Sequence, residues 1–412
     1  MSSPRMPLSV LDLSPISSGS TAGQALRNSL DLATRIEAAG YRRHWVAEHH
    51  FTPGVASSAP ALLIGQIAAA TSTIRVGSAA VQTGHQTALS IVEQFGILDA
   101  LFPGRIDLGL GRSGQRRSEA LAALEARQRA AEVARLKGGG AKKPRKPPRE
   151  AHVVDGLLIP KPFDPSGLFG SSRFRYQAAL QQQPGAESPD YGDQVAEVLA
   201  LIAGSLETPD GDLVHATPGE GAGVDVWIFG SSAGQSAEVA GVQGLPFTAN
   251  YHVSPATVLD ALGAYREAFR PSAHLAAPYV AVSADVVVAE DDATAQRLAS
   301  PFGLWVRSIR TGQGAVAYPS PEEADGHRWT DEDRALVADR VDTQFVGTPD
   351  AVVEQLEVLA RVTGADELVV TSITHQHADR VRSHELLAEA WSAGAPAGAT
   401  PVGALVGGRA PA

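Results

Sequence analysis

The chain contains no cysteine. Disulfides, thiolate nucleophiles and cysteine-ligated zinc or iron–sulfur sites are therefore excluded. No apolar run approaches the ~18 residues of a membrane span, and the first ten residues, MSSPRMPLSV, carry no apolar signal core. The expectation is a soluble, cytoplasmic protein with no membrane partner. A basic surplus is missing too. Lys and Arg number 34 against 45 Asp and Glu, a formal charge of −11, which argues against nucleic acid as the main partner. What the chain does have is length and apolar content. Its 412 residues, 44% of them hydrophobic, can bury a large core in one α/β barrel or in two to three ordinary domains.

A unit recurs along the chain: a helix-period segment, a Gly or Pro–Gly turn, then a short apolar strand. PLSVLDL (7–13) opens the series. A helix follows over 24–39, with Leu26, Leu30 and Ala33 on one face and Gly40 just past its end. Further strands are read at RHWVAE (43–48), IRVGSAAV (74–81), 105–110, VDVWIFG (224–230), LPFTANY (245–251), YVAVSADVVVA (279–289) and ELVVTSI (367–373). Near-continuous apolar strands separated by amphipathic helices mean a parallel sheet covered on both faces. Eight such units predict an α/β fold of the (β/α)8 TIM-barrel type, with an open doubly wound sheet in two domains as the competing layout.

Two segments fall outside the repeat. A long excursion between strands four and five begins with SEALAALEARQRAAEVARLK, which reads as helix. It continues through GGGAKKPRKPPRE, too rich in Gly, Pro and Lys to pack. Its Lys142, Lys143, Arg145, Lys146 and Arg149 read as a solvated loop or, less simply, a phosphate trap. The tail from Gly394 reads as disordered. The expected organisation is one domain over 1–392, an excursion or lid at 116–190 within it, and a disordered end at 393–412.

Several strand ends carry polar groups. Glu48, His49 and His50 are consecutive after strand two. GLGRSG (109–114) matches G-x-G-x-x-G but lacks the compact βαβ unit and acidic residue of a dinucleotide site. A glycine turn that lets backbone approach a ligand, with Arg112 toward its anionic part, fits better. Gly230, Ser231 and Ser232 end strand five and open a helix, an anion site or an ordinary serine cap. The small Ala79 and Ala80 could admit a flat ligand against the backbone, or relieve crowding in the strand. His85 would face a ligand or bond a loop carbonyl. THQHAD (374–379) adds His375 and His377, which with His49, His50 and His85 could hold a metal. The plainer reading is a helix start capped by Thr374.

EHHF, GSAA, VEQFGILDALFPGRIDLGLGR, FGSSAGQSAEVAGVQGLPFTANYH and SITHQHADRVRSHELLAEAW occur in that order. Together they resemble the bacterial-luciferase-like flavin-dependent monooxygenases, over nearly the whole chain except the basic excursion and the tail. The resemblance implies a (β/α)8 barrel with reduced FMN (FMNH2), or deazaflavin F420 in some branches, at the C-terminal face. It makes His49 the catalytic acid/base candidate and Ala79–Ala80 a non-prolyl cis peptide against the flavin ring. Arg112 and Ser232 match phosphate-binding positions, with Gly230 and Ser231 beside them, and Glu93 matches a carboxylate near the ring. Where luciferases carry a reactive cysteine this chain has Gly111, and QTGHQT (82–87) replaces a common Leu-Pro-Asn-His-Ser-Pro.

The resemblance further implies a two-component enzyme. A flavin reductase would supply FMNH2, and O2 would add to it as a C4a-peroxyflavin that oxidises a small organic substrate of the aldehyde or secondary-metabolite type. A homodimer is expected. F420-dependent hydride transfer, a metal-dependent barrel hydrolase and a non-catalytic flavin-binding protein are the alternatives.

Overall fold

The computed structural model describes residues 5–112, 129, 149–165, 172–186 and 188–393. All eight strands read from the sequence form. They are β1 (Leu8–Asp12), β2 (Arg43–Val46), β3 (Arg75–Ser78), β4 (Ile106–Gly111), β5 (Asp225–Gly230), β6 (Phe247–Asn250), β7 (Val280–Val288) and β8 (Glu367–Thr371). Each pairs in parallel with the next, and β8 pairs with β1 at Leu8↔Leu368, so the sheet closes into a barrel. The open doubly wound layout is thereby excluded. No helix among the described residues is long and apolar enough to cross a membrane.

Among the described residues eight helices wrap the barrel: α1 (Ala22–Ala38), α2 (Pro60–Ala70), α3 (Ala88–Leu101), α4 (Tyr191–Ala203), α5 (Gln235–Val242), α6 (Val258–Ala268), α7 (Pro349–Thr363) and α8 (His377–Ala393). Local chemistry sets their ends. Thr21 caps α1 by accepting from the Gln24 amide, and Gly40 follows the helix at φ 84°, where a side chain would be strained. The buried stripe of α1 is Ala25, Ser29, Leu32, Ala33 and Ile36, with Leu26 and Leu30 at its margin. That is one step around the helix from the face expected. Leu32, Ile64, Phe95 and Val195 carry the outer core between helices and barrel.

Inside the barrel the side chains form layers. At the N-terminal end Arg43 bridges Asp107 at 3.1 Å and Glu367 at 2.5 Å, while Arg75 reaches Asp107 at 2.5 Å and Asp225 at 2.9 Å. Above lies an aromatic layer. Trp45 meets Trp227 and Phe229 edge to face at 5.4 and 5.2 Å, and the Arg43 guanidinium lies 4.8 Å from the Trp227 ring centre. These layers plug the lower barrel and leave the C-terminal end to a cavity.

Strand three is shorter than expected because the chain breaks there. Residues Ala79–Ala80 form a cis peptide, and Val81–Gln82 then makes a separate two-residue pairing with β4. Gly109 permits the close contact below: a Cβ there would lie 2.0 Å from the Ser78 carbonyl oxygen. Its place in G-x-G-x-x-G is thus explained by strand packing. Ser113 and Gly114 of that motif lie outside the described residues.

The excursion after β4 is described only in part. A hairpin, His152–Val154 against Leu157–Ile159, is fixed to the barrel by the Tyr251 hydroxyl donating to the Leu158 carbonyl at 2.7 Å. Arg149 pairs with Asp260. The expected helix at 118–137, apart from Arg129, the lysines at 142, 143 and 146, Arg145, and the tail from Gly394 lie outside the described residues.

A second insertion was not anticipated. Between β7 and α7 run four helices, Asp292–Ala299, Pro301–Arg310, Pro321–Asp325 and Asp331–Val341, and a short strand Phe345–Gly347 that adds to β7. Three of them are capped by side chains, Asp291, Ser320 and Thr330, and Pro301–Arg310 opens on a proline, so in sequence they pass for ordinary repeat helices.

Candidate active site

The C-terminal ends of the strands surround a cavity of about 590 Å3. A parallel barrel gathers residues from distant parts of the chain at this face. His49, Ala79, Ala80, Arg112, Gly230, Ser231 and Ser232 all line it. Glu93 does not. It is exposed on α3, whose buried stripe is Ala88, Ile91, Val92, Phe95, Gly96 and Leu98, so helix geometry turns it away from the barrel. The structure does not bring the expected carboxylate to a ring-binding position.

Arg112, at the end of β4, and Ser231–Ser232, at the end of β5, form one side of the cavity. Arg112 lies within electrostatic reach of Asp190 and Tyr191 at the start of α4. The N-cap of α5 is Gly234, and no side chain caps that helix. The ordinary-serine-cap reading of Ser231 and Ser232 is therefore not what forms. A cation, two hydroxyls and a helix N-terminus at neighbouring strand ends suit a phosphate. Next to them Ala79, Ala80 and Gly111 make a wall of small residues. A Cβ on Gly111 would come within 3.1 Å of the Ala80 Cβ, so a larger residue would press on that wall.

Glu48, His49 and His50 part company in space. Glu48 is buried and collects partners: His50 Nε2 at 2.8 Å, His85 Nε2 at 3.1 Å and the Gln82 amide at 3.0 Å. Burial alone would raise its carboxyl, but the His50, His85 and Gln82 hydrogen bonds together hold it below the usual range. His49 is exposed in the cavity, its backbone amide tied to the Ser57 carbonyl at 2.9 Å. His85 thus bonds a carboxylate rather than a loop carbonyl. Gln82 also lines the cavity, and its Oε1 is buried with no hydrogen-bond partner among the described residues.

The ligand atoms of Glu48, His50 and His85 lie within 4.8 Å of one another, close enough to hold a divalent ion. Direct hydrogen bonds between the same groups account for that spacing as well. The wider histidine set is not assembled. His375 bonds Ser18, and His377 pairs with Asp31 at 2.9 Å. Thr374 does not cap α8 as expected, since its hydroxyl donates to the Gln376 carbonyl.

Several lining residues were not singled out in the sequence: His252 after β6, Ser283 and Asp285 on β7, Thr371 on β8, and Trp305 and Arg340 from the second insertion. Burial pushes Asp285 up to about 6 against the opposing pull of Arg340. Burial, with the charges of Arg340 and His49, pushes His252 down to about 3. Ser-x-Asp within an otherwise apolar strand was the available signal. Arg340 had none, because only the folded insertion brings it over the barrel.

Comparison with known proteins identifies the family. The sequence profile of the luciferase-like monooxygenases matches residues 6–136 and 177–367. The uncharacterized protein YvbT of Bacillus subtilis (strain 168) is 36% identical over 387 residues, covering 93% of this chain and 96% of its own. A luciferase-like monooxygenase of Escherichia coli (strain K12) is 32% identical over 378 residues, 92% of this chain and 95% of its own. Among solved structures, apo-MsnO8 superposes with a TM-score of 0.72 at 29% identity, covering 95% of this chain and 99% of that one. The chain belongs to the luciferase-like monooxygenase family, the flavin-dependent monooxygenases that its ordered sequence blocks resemble.

Proposed function

We propose that this barrel, a single domain over residues 1–392, binds reduced FMN supplied by a separate flavin reductase and uses O2 to oxidise a small organic substrate. The observation that carries the reading is the junction, in one cavity, of a phosphate-suited corner and a flat small-residue wall. Arg112, Ser231, Ser232 and the α5 N-terminus would hold the flavin phosphate, with Gly230 beside them. Ala79 and Ala80 would support the ring, and Gln82 Oε1 offers an acceptor to a ring N–H. The residues present fit the cofactor, and the volume falls within the range of about 300–1,000 Å3 usual for such sites.

When bound, the reduced flavin supplies the electrons that activate oxygen. The chain's own residues position, exclude water and move protons. His49, exposed at the cavity, is the group that would hold or deliver a proton at its imidazole. Glu48 fixes His50 and His85 behind it. Trp305, Ile309 and Ala315 of the second insertion, with Leu13 and Ile373, supply apolar wall that keeps water out.

A homodimer is part of this reading. Leu62 on α2 is 76% exposed, and Ile97 and Leu101 on the adjoining α3 are 51% and 67% exposed. Large aliphatic side chains left bare on two neighbouring helices suit a second copy of the chain.

Anaerobic titration with reduced FMN tests the site. Arg112→Met is expected to weaken binding about tenfold or more, the loss of one charge-assisted contact, with an unchanged unfolding curve. Unaltered affinity in this variant and in Ser232→Ala would place the phosphate elsewhere. Preference for F420 in the same titration would replace oxygen chemistry with hydride transfer.

A further inference from the structure

The β7–β8 side of the cavity carries polar groups to which flavin binding gives no role. Asp285 on β7 and Thr371 on β8 are register partners, so their side chains stand side by side on the barrel's inner face. Arg340, from the helix Asp331–Val341, approaches Asp285 through one guanidinium nitrogen at 3.4 Å. That contact is long and single; elsewhere in the same insertion Arg310 reaches both carboxylate oxygens of Asp339. His252 and Ser283 lie alongside, 2.5 Å apart, and line the same cavity.

These groups are buried and incompletely satisfied. Asp285 is 4% exposed, Arg340 9% and Thr371 1%. Arg340 Nε and Thr371 Oγ1 have no hydrogen-bond partner among the described residues. Buried donors without acceptors are unfavourable, and a ligand oxygen would relieve both.

Charge decides what kind of ligand. Arg340 and Asp285 offset one another, and burial keeps His252 neutral near neutral pH. A carboxylate placed here would meet the Asp285 carboxylate, and an ammonium would meet Arg340, each with little water to screen it. A neutral group with an acceptor and a donor close together meets no such penalty. Its carbonyl oxygen would accept from Arg340 Nε and the Thr371 hydroxyl, and its N–H would donate to Asp285.

We propose that the β7–β8 side of the cavity anchors a substrate through a neutral carboxamide-type group, received by Arg340, Thr371 and Asp285. That the anchored molecule is the substrate rests on the flavin reading, which assigns the cofactor to the β3, β4 and β5 ends and leaves the opposite side of the barrel mouth free.

The test uses full-length protein without flavin and three probes of one shape: benzamide, benzoate and benzylamine, titrated by calorimetry or ligand-observed NMR. Benzamide is expected to bind about tenfold or more tighter than either charged probe. Thr371→Val, nearly isosteric, is expected to weaken benzamide about fivefold to tenfold and leave benzoate unchanged. Asp285→Asn, checked for an intact unfolding curve, is expected to narrow the preference for benzamide over benzoate, because the repelling carboxylate is gone while the Asn amide oxygen still accepts the benzamide N–H. Equal binding of the three probes would overturn the anchor. So would benzamide affinity indifferent to Thr371→Val, or displacement of benzamide by FMN in simple competition. Failure of the flavin reading would show instead as absent FMN binding while the benzamide preference remained.

Discussion

Glu48 keeps His50 and His85 within 2.8 and 3.1 Å, whereas His49, between Glu48 and His50 in sequence, stands exposed in the cavity. Consecutive residues at a strand end diverge, so one motif supplies both a supporting cluster and a reactive candidate. A different histidine illustrates burial alone. His384 is fully buried on α8, edge to face with Tyr41 at 5.8 Å, and neither ring nitrogen has a hydrogen-bond partner among the described residues. Burial, reinforced by the Arg380 charge, pushes it down to about 3. Its folded value lies below the ~6.5 of a free histidine, so the unfolded chain binds the extra proton. The stability this represents is fully present above about pH 6.5 and is lost as pH falls toward 3, by up to about 1.4 kcal/mol per pH unit. Urea midpoints of His384→Phe are expected to fall less steeply than wild type between pH 6.5 and 4.5. Parallel slopes would show that His384 does not titrate on unfolding. At this scale the sequence was legible at the ends of β2, β4 and β5 but not at those of β6 and β8, where His252 and Thr371 also line the cavity. His49, Arg112 and Ser232 were found that way and reach the cavity. Glu93 was placed by resemblance, and the outward face of α3 carries it away.

Each barrel strand contributes to layers of different chemistry. Within β2, Arg43 belongs to the ionic layer and Trp45 to the aromatic one, and Ala47 just beyond the strand lines the cavity. The period of two along a strand produces this stacking. Glu367 on β8 is fully buried and holds Arg43, with Ser9 and Tyr279 completing its hydrogen bonds. Removing one member of a buried pair strands the other's charge. Glu367→Ala is expected to lose about 3–5 kcal/mol in chemical denaturation. A loss under about 1 kcal/mol would mean that Asp107 alone satisfies Arg43. The eight strands were legible because their apolar runs are separated by helix-period segments. The ionic layer was not, since Arg43, Asp107 and Glu367 lie far apart in sequence and each resembles an ordinary strand-end charge. The break at Ala79–Ala80 was anticipated only through family resemblance.

For the whole molecule, both insertions extend from strand ends on the side where the cavity opens, and both line it: Gln177 from the first, Trp305 and Arg340 from the second. Residues 289–348 escaped notice because four short helices between β7 and α7 look like one more stretch of the repeat. The proposed pairing of α2 and α3 predicts a particle of twice 42.9 kDa by light scattering. Leu62→Glu with Leu101→Glu is expected to yield a monomer of unchanged helical content. A wild-type monomer, or a dimer indifferent to both substitutions, would remove these helices from the interface.

Oxygen chemistry on bound reduced flavin is the central claim, and stopped-flow mixing tests it directly. Protein loaded anaerobically with reduced FMN would be mixed with oxygenated buffer and followed by flavin absorbance. Wild-type protein is expected to delay the return to oxidised flavin well beyond the rate of free FMN, with His49→Ala binding flavin normally but changing that delay by tenfold or more, the lower part of the range of about 10²–10⁴ for a positioned proton-transfer group being reduced by exposure. Reoxidation as fast as in buffer alone, with flavin demonstrably bound, would contradict it.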